Sequence, residues 1–369
     1  MACGYLLWLA IAVCALVSRR LLRAARARPL PAAWPDVSVI CPLCGASDAL
    51  ADNLKALLGV AYDGMLDVVF VAADADDPCW PVLDAVEGES PRRGRRIVAG
   101  TAARWLPKTW SLARGIAAAR FEDLVFVDAD VRLDAAVLRD VVAGVRRFDA
   151  AAAYAHPVVA EPRGAGGWLE AAVVNYTTLA VQPILSRLGL DHLAGTLWSI
   201  RRPALDAAGG FEGVRESIAD DISLGGRLRA AGAQLVLVGR PVVTVQGHMT
   251  IAAFARHQLR WLRTWRRVAG ATWPLALLFS SLVPACAGAL LGGPWIAVAP
   301  LVVAEMGLMA WIESELNGRA RPGGLALVAP LALAAEQVLA LVALCGRSVR
   351  WGRYRFVLDS RGRILRSAT

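Results

Sequence analysis

The residues of this sequence best suited to chemistry are aspartates that follow strand-like runs. Asp128 and Asp130 come directly after an apolar run in the stretch VFVDADVRL. Two carboxylates one residue apart, at the point where a strand ends, can both reach a single cation. Mg²⁺ and Mn²⁺ accept one or two carboxylates and complete their shell with water and phosphate oxygens. The D-x-D pattern therefore indicates a metal-dependent nucleotide-diphosphate site, although acidic pairs in loops are usually only solvated.

Two further acidic stretches support that interpretation. VAADADDPCW places Asp74, Asp76 and Asp77 after an earlier strand-like run, where a carboxylate could bind a nucleoside. ESIADDISLGGRL places Asp220 and Asp221 at a predicted helix start. Carboxylates at a helix start are often N-caps, favoured by the helix dipole. One of the two can cap the helix while the other faces a cleft.

Basic side chains suited to a phosphate occur at two places. Lys108 lies between the first two acidic stretches, although an ordinary surface lysine is the simpler interpretation. RHQLRWLRTW (256–265) contains His257 and Arg260, donors suited to a diphosphate, and Trp261, which offers a flat wall to an acceptor. On a helix, one face carries Arg256, Arg260, Arg263 and Arg267. That face predicts a basic amphipathic helix in the membrane interface, a role that does not exclude substrate binding.

The elements that must position these residues are typical of an α/β fold. Short, Val-rich runs predict strands at 37–41, 66–72, 95–100, 123–130, 152–159 and 233–239. Helical patterns lie between several of them, for example at 49–60 and 109–119. This alternation predicts a mainly parallel sheet covered on both faces, over residues 36–248. Ligands of such sheets bind beyond the carboxyl ends of the strands, where the aspartates fall.

Apolar segments flank this predicted domain. Residues 2–17 are apolar and are followed by Arg19, Arg20, Arg23, Arg26 and Arg28. A signal peptide carries its charges before the apolar stretch, so residues 1–28 predict an uncleaved anchor with its C-terminal side in the cytosol. The predicted interfacial helix spans 249–270.

The C-terminal region is almost entirely apolar from 273 to 346, with breaks at Gly292–Pro294 and 313–324. Two or three spans fit, within a transmembrane or re-entrant region over 271–346. The predicted cytosolic tail, 347–369, carries Arg347, Arg350, Arg353 and Arg355. If this tail and the α/β domain share the cytosol, the number of crossings between them must be even.

Composition excludes several classes. The chain has 369 residues, of which 57% are hydrophobic and 19% charged, too apolar for an ordinary soluble protein. Its net charge is +9, but much of this charge lies beside apolar segments, so we predict lipid contacts and no nucleic-acid partner.

Cys41 and Cys44 form a C-x-x-C motif in a chain that has seven scattered cysteines. No second pair supports zinc, and a redox motif is a minor alternative. Ala- and Arg-rich, Lys-poor usage is typical of a GC-rich bacterial genome.

In this order, the motifs resemble the family 2 glycosyltransferases, and more narrowly the ceramide glucosyltransferases and their bacterial, hopanoid-associated relatives. The resemblance covers about residues 36–268. Its motifs are PLCGASDALADNLKALLGVAYDG, VAADADDP, LPKTWSL, VDADVRL, Gly209–Phe211, IADDISLG and HQLRW. VRWGRYRF in the tail also resembles the family's C-terminal segment. Each motif is weak alone, but the ordered set is specific.

The resemblance implies a GT-A fold on the cytosolic face of the bacterial inner membrane. It implies that Asp74 contacts uridine, that Asp128 and Asp130 hold the nucleotide sugar and Mg²⁺ or Mn²⁺, and that Asp221 is the general base. Asp220 and Trp261 are the predicted acceptor contacts, and Lys108 a predicted phosphate contact. The family's (Q/R)-x-x-R-W motif corresponds to His257, Arg260 and Trp261, with histidine at its first position. The contact of this residue to phosphate then depends on pH.

The function that follows is an inverting transfer of sugar from a UDP-sugar to a lipid hydroxyl. Ceramide, a hopanoid polyol and diacylglycerol are possible acceptors. The eukaryotic ceramide enzymes carry a histidine in the region of Tyr176–Thr178, which this chain lacks, and that difference bears on the acceptor. A processive polysaccharide synthase of the same superfamily is an alternative, but it usually needs more spans. A non-catalytic membrane scaffold is another, although all three acidic stretches are present.

Overall fold

The computed structural model describes residues 2–27, 31, 33–102, 105–147, 150–190, 192–268, 273–274, 280–315, 323–351 and 354–368. Of the residues singled out above, Arg28, Arg353 and most of the 313–324 break lie outside these ranges. The chain divides into two compact units. The sheet unit comprises Leu22–Pro157 and His192–Gly247, and the helical unit comprises Met1–Leu21, Val158–Asp191 and His248–Thr369.

The helices and strands are numbered in chain order. The first half contains α1 (Ala2–Arg26), β1 (Val37–Pro42), α2 (Leu50–Gly59), β2 (Leu66–Ala72), α3 (Cys79–Glu89), β3 (Arg95–Val98), α4 (Pro107–Ala118), β4 (Asp123–Val127), α5 (Ala135–Arg147) and β5 (Ala152–Ala155). The middle contains β6 (Pro157–Val159), α6 (Gly164–Ala180), α7 (Gln182–Arg187), β7 (Leu197–Arg201), α8 (Arg202–Ala207), α9 (Asp220–Ala230), β8 (Leu235–Leu237) and β9 (Val242–Thr244). The C-terminal part contains α10 (Ile251–Val268), α11 (Leu282–Leu290), α12 (Ala299–Glu315), α13 (Leu325–Ala343), β10 (Ser348–Trp351), β11 (Tyr354–Leu358) and β12 (Ile364–Ala368).

The described residues of the sheet unit form a seven-stranded sheet with the order β3-β2-β1-β4-β7-β5-β8. Strands β1 to β4 are parallel to one another, and β5 is parallel to β8. Strand β7 runs antiparallel to both β4 and β5. The predicted α/β class with a mainly parallel sheet is confirmed, whereas β7 was not predicted.

The sheet is buried on both faces, which explains its continuous apolar runs. Successive side chains of a strand point to opposite faces. In β1, Val39 and Cys41 pack with core residues of α2, α3 and α5, such as Leu54 and Leu83. Ile40 packs on the other face with core residues of α4, α8 and α9.

The helical unit contains the segments that suit a membrane. Among the described residues, three helical segments are long and apolar enough to cross one: Ala2–Arg26, Trp295–Glu315 and Leu325–Ala343. Helix α11 has nine residues and is too short to cross a bilayer by itself. In the described part of the chain, two candidate spans therefore follow the sheet unit. The protein is a membrane protein.

Two parts of the helical unit have structure that the sequence interpretation did not anticipate. Helix α6, 17 residues long and largely buried, belongs to this unit although it falls within the predicted 36–248 domain. Part of the predicted basic tail, 347–369, forms an antiparallel sheet in the order β10-β11-β12. There Val349 and Phe356 are buried, while Arg350 and Arg355 lie outward. The density of arginines hid this period-two alternation.

Candidate active site

The first group of candidate residues lies at one edge of the sheet. Strands β2 and β4 flank β1 in parallel, so their carboxyl ends meet at the same edge. Asp74 comes two residues after β2, and Asp128 and Asp130 follow β4. The sheet topology therefore brings the first two acidic stretches to the same edge.

The backbone of the D-x-D turn is held by neighbouring segments. The Asp128 N–H donates to the Thr196 carbonyl at 2.9 Å, and the Val245 N–H donates to the Asp130 carbonyl at 2.8 Å. The Asn53 side-chain amide also donates, to the Ala129 carbonyl at 3.3 Å. The two aspartates thus project from a turn whose position is set by three other parts of the sheet unit.

Lys108 lies among the carboxylates. Its Nζ is 2.5 Å from Oδ1 of Asp128, and the two side chains are 23% and 28% exposed. Burial disfavours the charged ammonium, but the charges of Asp128 and Asp220, together with the hydrogen bond to Asp128, outweigh this effect and raise the pKa of Lys108. The ammonium therefore stays charged and offsets the carboxylates around it. The interpretation as an ordinary surface lysine does not describe this environment.

Asp221 is held at the start of α9 by two backbone amides. Its Oδ2 accepts the Gly195 N–H at 3.0 Å, and its Oδ1 accepts the Ile222 N–H at 2.8 Å. Burial, and then the charge of neighbouring Asp220, raise the pKa of Asp221 to about 6, against the opposing effects of Lys108 and the two amides. A carboxylate with a pKa near 6 can accept a proton at neutral pH and so act as a general base. Asp221 can therefore accept backbone N–H groups at the start of α9 and also serve as a general base.

Gly195, just before β7, is a site residue that sequence reasoning missed. A Cβ atom at this position would lie 2.7 Å from Oδ2 of Asp221. Only glycine allows the backbone to approach the carboxylate this closely. No local sequence signal marked the residue, since its role depends on the pairing of β7 with β4.

The aspartates of the stretch VAADADDPCW have different roles. Oδ1 of Asp77 accepts the Gly45 N–H at 2.8 Å and the Cys79 N–H at 2.9 Å, so this carboxylate joins the first residue of α3 to the loop after β1. The carbonyl of Asp74 accepts the Trp80 indole N–H at 2.9 Å. Asp77 therefore has a structural role, and the nucleoside contact of Asp74 stays a prediction.

The C-x-x-C pair does not have the environment of a redox motif. Cys41 is 1% exposed at the end of β1, and burial, together with the charges of Asp128 and Asp130, raises the pKa of its thiol. Cys44 is exposed, and both thiols are free. A reactive cysteine needs a lowered pKa, so Cys41 is better interpreted as a small residue of the site wall.

The donor set at the D-x-D turn suits a hard divalent cation. Asp128 and Asp130 supply carboxylate oxygens, the ligands that Mg²⁺ and Mn²⁺ prefer. Across the residues that the structure describes, no group of three or more His, Cys, Asp or Glu side chains could hold a metal ion. An ion held by the two aspartates would complete its shell with phosphate and water oxygens, as Mg²⁺ usually does. The residues fit a metal that binds together with a nucleotide diphosphate.

The second group of candidate residues lies on α10 in the helical unit. Nδ1 of His257 is 2.8 Å from Oε1 of Glu170, and the Gln258 side-chain amide donates to Oε2 of Glu170 at 2.7 Å. Glu170, on α6, is 0% exposed. The His257 ring lies 4.5 Å from the ring of Trp261, which is 42% exposed. A buried carboxylate thus orients the first residue of the H-x-x-R-W motif.

Four arginines of α10 have protein partners in the C-terminal segment. The Arg260 guanidinium lies over the Trp351 ring, 4.6 Å from its centroid. The remaining contacts are to backbone carbonyls: Arg263 to Ser348 at 3.0 Å, Arg266 to Leu344 at 2.6 Å, and Arg267 to Gly346 at 2.8 Å and Asp359 at 3.0 Å. The predicted lipid-facing role therefore does not account for Arg260, Arg263 and Arg267, which contact protein.

Sequence reasoning also missed Glu170, Gln258 and Trp351. Glu170 had a usable signal, since it is a single charge in the apolar run GWLEAAVVNY, and charged residues are rarely buried unless paired. Gln258 and Trp351 lie in the quoted motifs HQLRW and VRWGRYRF, but neither was assigned a role, because their importance comes from contacts with distant segments.

Comparison with one solved structure agrees with this fold. PcManGT, a mannosyltransferase from Pyrobaculum calidifontis solved in complex with GDP-Man and Mn²⁺, matches with a TM-score of 0.53 and 16% identity, covering 92% of this chain and 98% of its own. Glucosyl-3-phosphoglycerate synthase from Mycobacterium tuberculosis, solved with Mg²⁺ and UDP, matches with a TM-score of 0.38 and 16% identity, covering 66% of this chain and 80% of its own. A search of curated proteins found no match.

The family comparison covers almost the whole chain. The model described as glycosyl transferase family 21 matches residues 4–364, from the first helix to the last strand. This match confirms the predicted resemblance to ceramide glucosyltransferase-like enzymes, and the sheet unit has the predicted GT-A fold. The chain is a glycosyltransferase enzyme that belongs to glycosyl transferase family 21.

Proposed function

We propose that this enzyme transfers a sugar, with inversion, from a UDP-sugar to a hydroxyl group of a membrane lipid, either a ceramide-like lipid or a hopanoid polyol. The observation that carries the proposal is the environment of Asp221. The pKa of its carboxyl group is raised to about 6. The ammonium group of Lys108 interacts electrostatically with Asp221 and forms an ion pair with Asp128. One cation therefore lies near both the candidate general base and the D-x-D turn.

Donor binding uses the acidic edge of the sheet. In the proposal, Asp74 contacts the uridine, and Asp128 and Asp130 hold Mg²⁺ or Mn²⁺. When bound, the cation supplies positive charge to the diphosphate. Lys108 Nζ, which lies 2.5 Å from Asp128, donates to a phosphate oxygen.

The proposal also assigns diphosphate contacts to residues of α10. Arg260 donates to the diphosphate oxygens. His257 has its Nδ1 bound to Glu170, so Nε2 is the atom that donates to phosphate when the ring is protonated. Together these donors stabilise the negative charge that develops on the departing UDP.

Transfer occurs in a single displacement. Asp221 takes the proton of the acceptor hydroxyl while the hydroxyl oxygen attacks the anomeric carbon. The bond from the anomeric carbon to the diphosphate oxygen breaks, and UDP leaves with its electron pair. Attack opposite to the leaving group inverts the anomeric centre, which gives a β-glycoside from an α-linked donor. Asp220 and the exposed ring of Trp261 contact the acceptor.

A lipid acceptor is supported by the candidate membrane spans of the helical unit. The basic residues that follow the first apolar run, among them Arg19 and Arg23, favour a cytosolic location for the site at the bacterial inner membrane. We therefore propose that the acceptor reaches the site from the cytosolic leaflet.

The test is mass spectrometry of lipids made by the purified enzyme with Mg²⁺ or Mn²⁺. Ceramide and bacteriohopanetetrol are offered side by side, with UDP-glucose, UDP-N-acetylglucosamine and UDP-glucuronic acid as donors. GDP-mannose is included because PcManGT was solved with GDP-Man. We expect one glycolipid from a UDP-sugar, absent with Asp221→Asn and present with Asp206→Asn, which changes an exposed aspartate.

The outcomes separate the alternatives. A hexosyl-ceramide identifies a ceramide-type enzyme, and a glycosylated hopanoid identifies the hopanoid branch. A polymer would instead indicate the processive synthase. The proposal is wrong if Asp221→Asn and Arg260→Ala variants, folded and inserted normally, keep full transferase activity.

A further inference from the structure

The C-terminal sheet, β10–β12, packs on α10, which carries the H-x-x-R-W motif. This sheet has no part in the mechanism above. It contacts α10 at its first strand, where Ser348 accepts from Arg263 at 3.0 Å. It also contacts α10 at the turn after β11, where Asp359 accepts from Arg267 at 3.0 Å. These contacts hold the sheet in a defined position on the helix.

The contact to Arg260 differs in kind from the contacts to its neighbours. Arg263 and Arg267 direct N–H groups at backbone carbonyls. The Arg260 guanidinium also lies over the Trp351 ring, with its central carbon 4.6 Å from the ring centroid. A cation in this position is attracted electrostatically by the face of the ring. The contact therefore restrains the Arg260 side chain.

We propose that Trp351 is a positioning residue for the transfer reaction. Its ring holds the Arg260 guanidinium in the orientation that binds the diphosphate of the donor. This inference rests on the proposed function, in which Arg260 binds the diphosphate. An arginine side chain loses considerable rotamer freedom when it binds, and a stacking partner removes part of that cost in advance.

The first experiment measures binding of UDP with Mg²⁺ by calorimetry, and steady-state kinetics with the donor, for Trp351→Ala. A cation–π contact of about 0.5–2 kcal/mol corresponds to a change of about 2- to 30-fold, so we expect UDP affinity and donor kcat/KM to fall about tenfold. The KM for the lipid acceptor should stay unchanged. Trp351→Phe keeps an aromatic face and should recover most of the affinity, whereas Trp351→Leu keeps bulk alone and should behave like Trp351→Ala.

A double-mutant cycle separates positioning from a general structural role. If Trp351 acts through Arg260, Trp351→Ala should have no further effect on UDP affinity in an Arg260→Ala protein. Trp295→Ala, which changes a tryptophan that is 56% exposed in the helical unit, is the matched control and should bind UDP normally. Effects that add in the double variant, or normal UDP affinity in Trp351→Ala, would overturn the inference. Recovery by leucine equal to that by phenylalanine would overturn it as well.

Failure of this inference is distinguishable from failure of the proposed function. An inactive Asp221→Asn variant together with a normal Trp351→Ala variant removes only the role of Trp351. A fully active Asp221→Asn variant refutes the proposed mechanism whatever Trp351 does. An Arg260→Ala variant with normal UDP affinity removes the role of both Arg260 and Trp351.

Discussion

The carboxylate cluster of the sheet unit and the H-x-x-R-W motif of α10 hold their charged side chains in different ways. In the sheet unit, Asp221 is bound by two backbone amides, and Asp128 by the ammonium group of Lys108. On α10, His257 is bound by the buried carboxylate of Glu170, and the Arg260 guanidinium lies over an aromatic ring. The first arrangement uses backbone amides, whereas these two contacts on α10 are between side chains.

The two arrangements should respond differently to substitution. Positions set by strand ends and backbone amides tolerate changes in other side chains, because the amides remain. Positions set by partner side chains are lost when one distant residue changes, and Glu170 lies 87 positions from His257 in the chain. Variants of the first group should therefore affect chemistry most, and variants of the second group should have smaller effects that depend on their partners.

The largest effect is expected from the D-x-D turn. Replacing Asp128 and Asp130 together by Asn removes the carboxylates that suit the divalent ion, and we expect kcat to fall by about 100- to 1,000-fold, the size of a lost electrostatic contribution to the transition state. Glycolipid formation followed by mass spectrometry measures the change. Chelation of divalent ions should abolish activity of the unmodified enzyme, and Mg²⁺ or Mn²⁺ should restore it. Full activity in excess chelator would contradict the assignment.

A smaller loss is expected from Gly195→Ala. The added Cβ would lie 2.7 Å from Oδ2 of Asp221 and must displace the carboxylate. Misplacing a reacting group by about 1 Å can lower the rate about 100-fold, so we expect kcat to fall by about 10- to 100-fold. Binding of UDP should change little. The matched control is Gly226→Ala, because a Cβ there would meet no neighbour within 4 Å. Equal activity of the two alanine variants would contradict the proposal that the Gly195 backbone positions the Asp221 carboxylate.

The raised pKa of Asp221 predicts the pH dependence of the reaction. The group accepts a proton only when ionised, and its pKa in the folded protein is about 6. Activity should therefore rise as pH increases through 6, and kcat/KM should fall about tenfold for each pH unit below it. The profile is measured between pH 5 and 8, with UDP binding followed over the same range as the control. If the loss of activity at low pH only parallels a loss of UDP binding, the pH dependence belongs to the donor site and not to Asp221.

The smallest effect is expected from Glu170→Gln. The amide keeps the shape of Glu170 but loses its charge and one of the two acceptors used by His257 and Gln258. We expect donor kcat/KM to fall about three- to tenfold, as when a hydrogen bond to a charged group is weakened. Glu89→Gln, at an exposed glutamate, is the control. If Glu170 acts through His257, the change should have little effect in a His257→Gln protein. An equal loss in both backgrounds would refute the orienting role.

Much of the sheet unit could be predicted because its signals are local. The apolar, Val-rich run at 66–72 is followed two residues later by Asp74, and the run at 123–130 ends in Asp128 and Asp130, so strand and site residues were predicted together. Strand β7 was missed because LWSIR is short and its antiparallel pairing with β4 has no local signature. The pairing matters, since the turn before β7 brings Gly195 to Asp221.

The helical unit was less predictable for a physical reason. Apolar composition predicts that a segment enters a membrane or a core, but not which helix it packs against. Thus the candidate spans were predicted, whereas the packing of α6 on α10, which places Glu170 at His257, was not. The C-terminal sheet was obscured in the same way, because its arginines were interpreted as membrane-facing charges.

The α/β class, the order of the family's motifs and the location of three acidic stretches could be predicted without the structure, since each follows from residues close together in the chain. How those residues are held depends on the tertiary fold. The glycine that touches Asp221, the glutamate behind His257 and the tryptophan on Arg260 are brought into contact by strand pairing and helix packing between distant segments. Such contacts depend on the whole fold, and no local pattern encodes them.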